Sequence, residues 1–282
     1  MPLDQKNTRL TFRKLCRQLA ELASKPAPEN IHRFRTSSRR AEVLVAELAQ
    51  ARTRNDKKLL KLLGRLRKKT GRVRDLDVEI AALRSLKIPQ EPVRKSQLMR
   101  TLAEERGKRE KKLVKALDKK TVSEVRKRLK RTAGTLEISK NTNPLAVAMQ
   151  KVTELEFEQT AVSEETLHRF RVAGKRARYI AEMAGNNAEA ARLVEQLNHM
   201  QDAIGDWHDW VQLAERAERL FGGAQDSALV AALRNVTRAK FRQAVNTLME
   251  TRATLVAKKP ASVTTMGRRT PRERSAAAAA VA

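Results

Sequence analysis

One pattern of histidine, arginine and lysine residues occurs twice in the sequence. Residues 31–41 read Ile-His-Arg-Phe-Arg-Thr-Ser-Ser-Arg-Arg-Ala, and residues 167–177 read Leu-His-Arg-Phe-Arg-Val-Ala-Gly-Lys-Arg-Ala, with six of eleven positions identical. Arginine offers a planar fork of donors that fits phosphate oxygens, lysine is a compact positive charge, and the charge of histidine can be tuned near neutral pH. Residues of these types, repeated together, predict binding of phosphate groups.

Each copy of the pattern has two faces when it is placed on a helix of about 100° per residue. The small and apolar residues share one face, which should pack in the core: Phe34, Ser38, Ala41, Val45 and Leu48 in the first copy, and Phe170, Gly174, Ala177 and Ala181 in the second. The basic residues share another face: His32, Arg35 and Arg39, then His168, Arg171 and Lys175. We expect these two basic faces to oppose each other across one central cleft.

A second repeat follows each copy of the first. Gly71 and Asp75 recur as Gly205 and Asp209, with Arg74 in the same register as His208. Because glycine is costly inside a helix, each glycine predicts a close helix–helix approach or a kink. The aspartates are predicted to orient a basic neighbour, with a surface salt bridge as the open alternative. A weaker echo pairs Arg106-Gly107-Lys108 with Arg238-Ala239-Lys240, which adds Lys108 and Lys240 to the candidate site.

Helix-forming residues dominate the chain, and Pro, Gly and Asn cluster at a few breaks, so the fold is predicted to be all-α. The predicted helices are 7–24, 30–51, 55–86, 93–133 with a break near residues 118–121, 145–160, 164–184, 188–220 and 227–257. The repeats predict two pseudo-twofold-related four-helix bundles, residues 5–140 and 141–258, with a central basic cleft. The basic and Ala-rich tail, residues 259–282, lacks hydrophobic periodicity and is expected to be disordered.

The charge of the chain is strongly positive. It has 282 residues, with 60 Lys and Arg against 32 Asp and Glu, which gives a formal net charge of +28. This excess favours a polyanionic partner over basic residues that only solvate helices. A single cysteine, Cys16, excludes an intramolecular disulfide. No apolar run is long enough to span a membrane, so we expect a cytoplasmic protein.

At the two repeated motifs the sequence resembles the CHAD family, the conserved histidine α-helical domain. The resemblance rests on His32-Arg33-Phe34-Arg35-Thr36-Ser37-Ser38-Arg39-Arg40 and on Gly71-Arg72-Val73-Arg74-Asp75-Leu76-Asp77-Val78, and it spans residues 5–258. It implies two four-helix bundles that bind inorganic polyphosphate in a basic channel, with association to polyphosphate granules. The residues expected to bind polyphosphate are His32, Arg35, Arg39, Arg40, Arg74, Lys108, His168, Arg171, Lys175, Arg176, Arg178, His208 and Lys240.

Enzymatic activity is not expected. Relatives of the family often carry a triphosphatase domain marked by Glu-x-Glu-x-Lys, whereas this chain has Glu154-Leu155-Glu156-Phe157-Glu158 in a helical context. There is no Gly-rich phosphate loop, and the four histidines are scattered without cysteine partners, so no cofactor or metal site is predicted. Sequence-nonspecific binding of nucleic acid stays open as the alternative function, because phosphate contacts alone would attract RNA or DNA.

Overall fold

The computed structural model describes residues 5–139, 141–154 and 162–257, and all secondary structure in these ranges is helical. This confirms the all-α prediction. The described residues form these helices: α1 (Gln5–Ser24), α2 (Pro28–Val43), α3 (Arg54–Ser85), α4 (Pro92–Ala116), α5 (Lys119–Thr135), α6 (Pro144–Thr153), α7 (Glu164–Ala181), α8 (Ala188–Phe221) and α9 (Ala228–Ala257).

Short polar residues at the helix starts set the boundaries. Thr53 and Asp56 form a reciprocal capping box that begins α3. Asn143 accepts hydrogen bonds from the first amides of α6, and Ser163 caps α7 in the same way. The expected break in the long 93–133 segment occurs where the Asp118 side chain caps α5.

Two helix ends differ from the prediction. The helix predicted over 30–51 ends its regular α-helical part at Val43 and continues as a π-helical turn, Leu44–Leu48. The helix predicted over 164–184 closes with a 3₁₀ turn, Glu182–Ala184, before Gly185 in the left-handed region at φ 65°. Helix ends often tighten or widen in this way to satisfy the last carbonyl groups.

The hydrophobic core follows the predicted apolar faces. Phe34, Ala41 and Ala177 are fully buried or nearly so, and the two tryptophans are buried as well. One large apolar cluster contains residues from each of the helices α1 to α9, and a smaller cluster joins α3 and α4 to α8 and α9. The two halves of the chain therefore share both clusters and do not form separate cores.

The helices that carry the repeated motifs pack on one another. α2 packs against α3 and α7, while α3 packs against α8. This arrangement brings the two copies of both motifs to the junction of the halves. The pseudo-twofold relation between the halves stays a prediction.

Some predictions fall outside the described residues. They are the end of the predicted 145–160 helix, the Glu-rich segment beyond Glu154, and the disorder expected for residues 259–282. Within the described ranges, no helix is both long enough and apolar enough to cross a membrane.

Candidate functional site

A polar cavity of about 280 Å³ lies where the two halves of the chain meet. Its walls come from α2, α3 and α4 of the first half and from α7 and α8 of the second. The cavity is lined by Arg35, Arg39, Arg72, Asp75, Glu79, Glu105, Arg109, Arg171, Lys175, His208, Asp209, Gln212 and Arg216. Cations outnumber carboxylates among these side chains, so the cavity suits an anion.

Three pairs of repeat-related residues line this one cavity. The pairs are Arg35 with Arg171, Arg39 with Lys175, and Asp75 with Asp209. The members of each pair are 134 or 136 residues apart in the sequence, and the fold brings both to the same walls. The cleft predicted from the repeated basic faces is thus present between the halves.

The four basic members of these pairs, Arg35, Arg39, Arg171 and Lys175, have no carboxylate partner at contact distance, within 4.0 Å, among the described residues. Burial lowers the pKa of Lys175 to about 7, with the nearby arginines adding to the effect. Burial also lowers the pKa of Arg35 and of Arg39. These partly desolvated cations repel one another, and an anion that enters the cavity relieves that repulsion.

The aspartates of the second motif lie in the same cavity. Burial raises the pKa of Asp209 to about 6, although Arg171 and Lys175 oppose the shift. Burial likewise raises the pKa of Asp75, and Arg35 opposes it. Among the described residues, neither aspartate makes an ion pair within 4.0 Å, so the predicted role of orienting a basic neighbour is absent at contact distance.

A compensated charge network closes one side of the cavity. Arg216 Nε lies 2.6 Å from Glu79 Oε2, and Arg216 Nη1 lies 2.6 Å from Glu105 Oε2. Glu105 also pairs with Arg109 at 3.0 Å. Burial raises the pKa of Glu79 to about 7 against the pull of Arg216. These paired groups fix the wall, whereas the unpaired cations remain available to a ligand.

The histidines occupy different positions. His208 lines the cavity, and burial, with Arg171 and His168 adding to it, lowers the pKa of His208 to about 4. His32 and His168 are exposed and do not line the cavity. Although His32 is largely exposed, partial desolvation and then the charge of Arg74 lower its pKa, so His32 and His208 both favour the neutral form at pH 7.

Six other predicted residues do not line the cavity. Arg40 Nε lies 2.6 Å from Glu182 Oε2, and Lys240 Nζ lies 2.7 Å from Asp206 Oδ2. Arg178 donates a hydrogen bond to Asn198 and lies over the ring of Tyr179. The remaining three are Arg74, which is half-buried, and Lys108 and Arg176, which are exposed.

Three cavity cations, Arg72, Arg109 and Arg216, were not predicted. The equivalent positions of the other repeat do not carry a basic residue, so a comparison of the two repeats could not identify these three arginines. Helical spacing would have found two of them. Arg72 shares a face of α3 with Asp75, and Arg216 shares a face of α8 with Asp209.

Gly71 makes room for a cavity arginine, as its predicted close approach requires. A Cβ at this position would lie 2.7 Å from Arg35 Nη1, and that same atom donates a hydrogen bond of 2.9 Å to the Arg67 carbonyl. At Gly205 no atom other than its chain neighbours and its own helix backbone lies within 4 Å of the corresponding Cβ position, so of the two predicted alternatives the close approach is absent there. Both α3 and α8 continue through their glycines.

Replacing these two glycines should therefore have different effects. Gly205→Ala should stabilise the fold by up to about 1 kcal/mol, because alanine is the better helix former, and leave anion affinity unchanged. Gly71→Ala should displace the Arg35 guanidinium and lower anion affinity severalfold without unfolding the protein. Thermal melts and phosphate-polymer titrations of both variants check this expectation, and equal affinities would contradict it.

Over most of the chain, the fold matches solved structures and the sequence matches a family model. No curated protein matches it. A CHAD domain structure from the plant Ricinus communis is 20% identical, with a TM-score of 0.61 and 88% of each chain covered. PptA from Streptomyces chartreusis is 14% identical, with a TM-score of 0.62, 89% of this chain covered and 96% of the other. The family model of the CHAD domain matches residues 8–218, and the chain therefore belongs to the CHAD family.

Proposed function

We propose that this protein binds inorganic polyphosphate in the cavity between its two halves and does not hydrolyse it. One observation carries the proposal: two repeat-related basic pairs line a single cavity and have no carboxylate partner among the described residues. A linear phosphate polymer presents a charged oxygen at every unit, which matches converging rows of guanidinium and ammonium groups.

The composition of the walls favours polyphosphate over nucleic acid. No Phe, Tyr or Trp is among the described residues that line the cavity. Proteins that bind single-stranded nucleic acid stack its bases on such rings. A space of about 280 Å³ is also too small to admit a double helix. Recruitment to polyphosphate granules is the cellular role that fits this binding.

A competition titration tests the proposal. Long-chain polyphosphate and duplex DNA, matched in phosphate concentration, compete for the wild-type protein at about 150 mM salt, where unspecific phosphate contacts are weakened. We expect polyphosphate to displace DNA and the polymer to keep its length on a gel throughout. Equal binding of both polymers would instead indicate a generic basic protein, and shortened polymer would indicate hydrolysis.

Affinity should rise as the pH falls from 8 to 6. Lys175, with a pKa of about 7, gains its proton in this range, and Glu79 and Asp209, at about 7 and about 6, begin to lose their negative charge. All three changes make the cavity more positive, whereas His208, with a pKa of about 4, stays neutral. Titrations with long-chain polyphosphate, which has few terminal phosphates, measure the effect. A flat profile would contradict the assignment of the cavity.

A further inference from the structure

The net charge of the chain lies almost entirely in its first half. Residues 1–140 contain 40 Lys and Arg against 16 Asp and Glu, whereas residues 141–257 contain 14 against 15. The cavity draws cations from both halves, so it does not account for this difference. An uneven distribution of charge indicates a surface that a polyanion contacts.

Part of this excess forms a continuous line along α3. Six basic residues follow one another at helical spacings of four and three, and all six are exposed: Arg54, Lys58, Lys61, Arg65, Lys68 and Arg72. At about 100° per residue they keep within one narrow face of the helix. Among the described residues, none of the six has a carboxylate oxygen within 4.0 Å. We call this line the α3 stripe.

The α3 stripe joins the cavity to a second concave region. Arg72, at one end, lies on the cavity wall. Arg54 and Lys58, at the other end, share a pocket of about 490 Å³ with Arg128 and Arg131 of α5. The two ends are 18 residues apart, which at about 1.5 Å per residue is about 27 Å along the helix. A polymer that leaves the cavity at Arg72 therefore meets a continuous basic path to the second pocket.

The duplicated helix shows that the fold does not require the stripe. The corresponding positions of α8 are Ala188, Arg192, Glu195, His199, Asp202 and Asp206. One of these six residues is a Lys or Arg and three are acidic, although α8, with 34 residues, is as regular a helix as α3, with 32. Like charges at these spacings destabilise a helix, so a row of six is a cost that packing does not explain.

We propose that the α3 stripe is a binding track on which a polyphosphate chain continues after it leaves the cavity, toward the pocket between α3 and α5. The inference rests on the proposed function, since it takes the cavity as one end of the track. The footprint of the polymer is then one-sided: it runs over the first half of the chain and not over the equivalent face of the second half.

The test compares two variants with equal loss of charge. The stripe variant carries Lys58→Gln, Lys61→Gln, Arg65→Gln and Lys68→Gln, which leaves every cavity residue in place. The control variant carries four exchanges of exposed lysines in the same half: Lys111→Gln, Lys112→Gln, Lys119→Gln and Lys120→Gln. Each protein is titrated with tripolyphosphate, which is short enough for the cavity alone, and with long-chain polyphosphate over a range of salt concentrations.

We expect the stripe variant to bind tripolyphosphate as the wild type does and to lose about tenfold or more in affinity for the long chain at low salt. The plot of log K against log salt concentration should also become less steep, with a slope smaller by up to about 3. This is the change expected when four phosphate contacts to a single-stranded polymer are lost. The control variant should change much less in both respects. Equal losses in the two variants would overturn the track.

Failure of the track and failure of the cavity give different results. If the cavity is wrong, Arg35→Ala with Arg171→Ala binds tripolyphosphate as well as the wild type does. If only the track is wrong, that double variant loses tripolyphosphate binding while the stripe and control variants bind the long chain equally. Thermal melts separate either result from misfolding, because the stripe variant should melt at a higher temperature than the wild type at low salt.

Discussion

Arg35→Ala combined with Arg171→Ala should lower the affinity for long-chain polyphosphate by about 10²–10⁴-fold. Both arginines line the cavity, occupy the same position in the two repeats and lack a carboxylate partner within the described residues. A hydrogen bond to a charged group contributes about 1.5–3 kcal/mol, and a factor of ten in affinity is about 1.4 kcal/mol. Two such losses give the stated range, which an isothermal or fluorescence titration measures.

The matched control removes two arginines from the basic tail, Arg268→Ala with Arg269→Ala. It changes the net charge equally but leaves the cavity intact, so its affinity should fall far less. Because Arg35 also donates a hydrogen bond to the Arg67 carbonyl, the thermal stability of the double variant must be measured beside its affinity. Equal losses in the two variants would mean that total charge, and not the cavity, decides binding.

The apolar faces and the repeats could be predicted from the sequence because both are local periodic patterns. Phe34 and Ala177 lie on the predicted core faces and are buried. The repeat also predicts, through two basic faces that oppose each other, that Arg35 and Arg171 belong to one site, and both line the cavity. The sequence therefore predicts which segments are helical and which face of each motif helix is buried. It also predicts the part of the cavity that the repeats share.

The remaining cavity residues could not be predicted because they depend on contacts between distant segments. Glu105 of α4 meets Arg216 of α8 across the junction, and neither belongs to a repeated motif. Arg40 belongs to the repeated motif, yet its guanidinium pairs with Glu182, which is 142 residues away. A helical-wheel argument fixes the face on which a side chain starts, but the packing of the helices decides which partner it reaches.

Lys175→Met should raise the stability of the protein and lower its polyphosphate affinity. The lysine is partly buried among arginines, and this burial lowers its pKa to about 7 because the charged form is unfavourable there. Methionine keeps a similar shape without the charge, so the free energy of unfolding should increase by about 1–3 kcal/mol at neutral pH. The affinity should fall by roughly tenfold or more, since one charged hydrogen bond to phosphate is lost.

The pH dependence of the stability gain identifies its cause. The unfolded lysine holds its proton up to a pKa of about 10.5, whereas the folded one releases it near pH 7. The destabilisation caused by the Lys175 charge, which Lys175→Met removes, is thus complete below pH 7. It disappears as the pH rises toward 10.5. Chemical denaturation at several pH values measures this window, with Lys175→Arg as the control that keeps both charge and binding. A gain that persists at high pH would show that packing alone improved. A gain confined to lower pH would show that the wild-type protein keeps an unfavourable lysine charge in the cavity, as a binding site for an anion would.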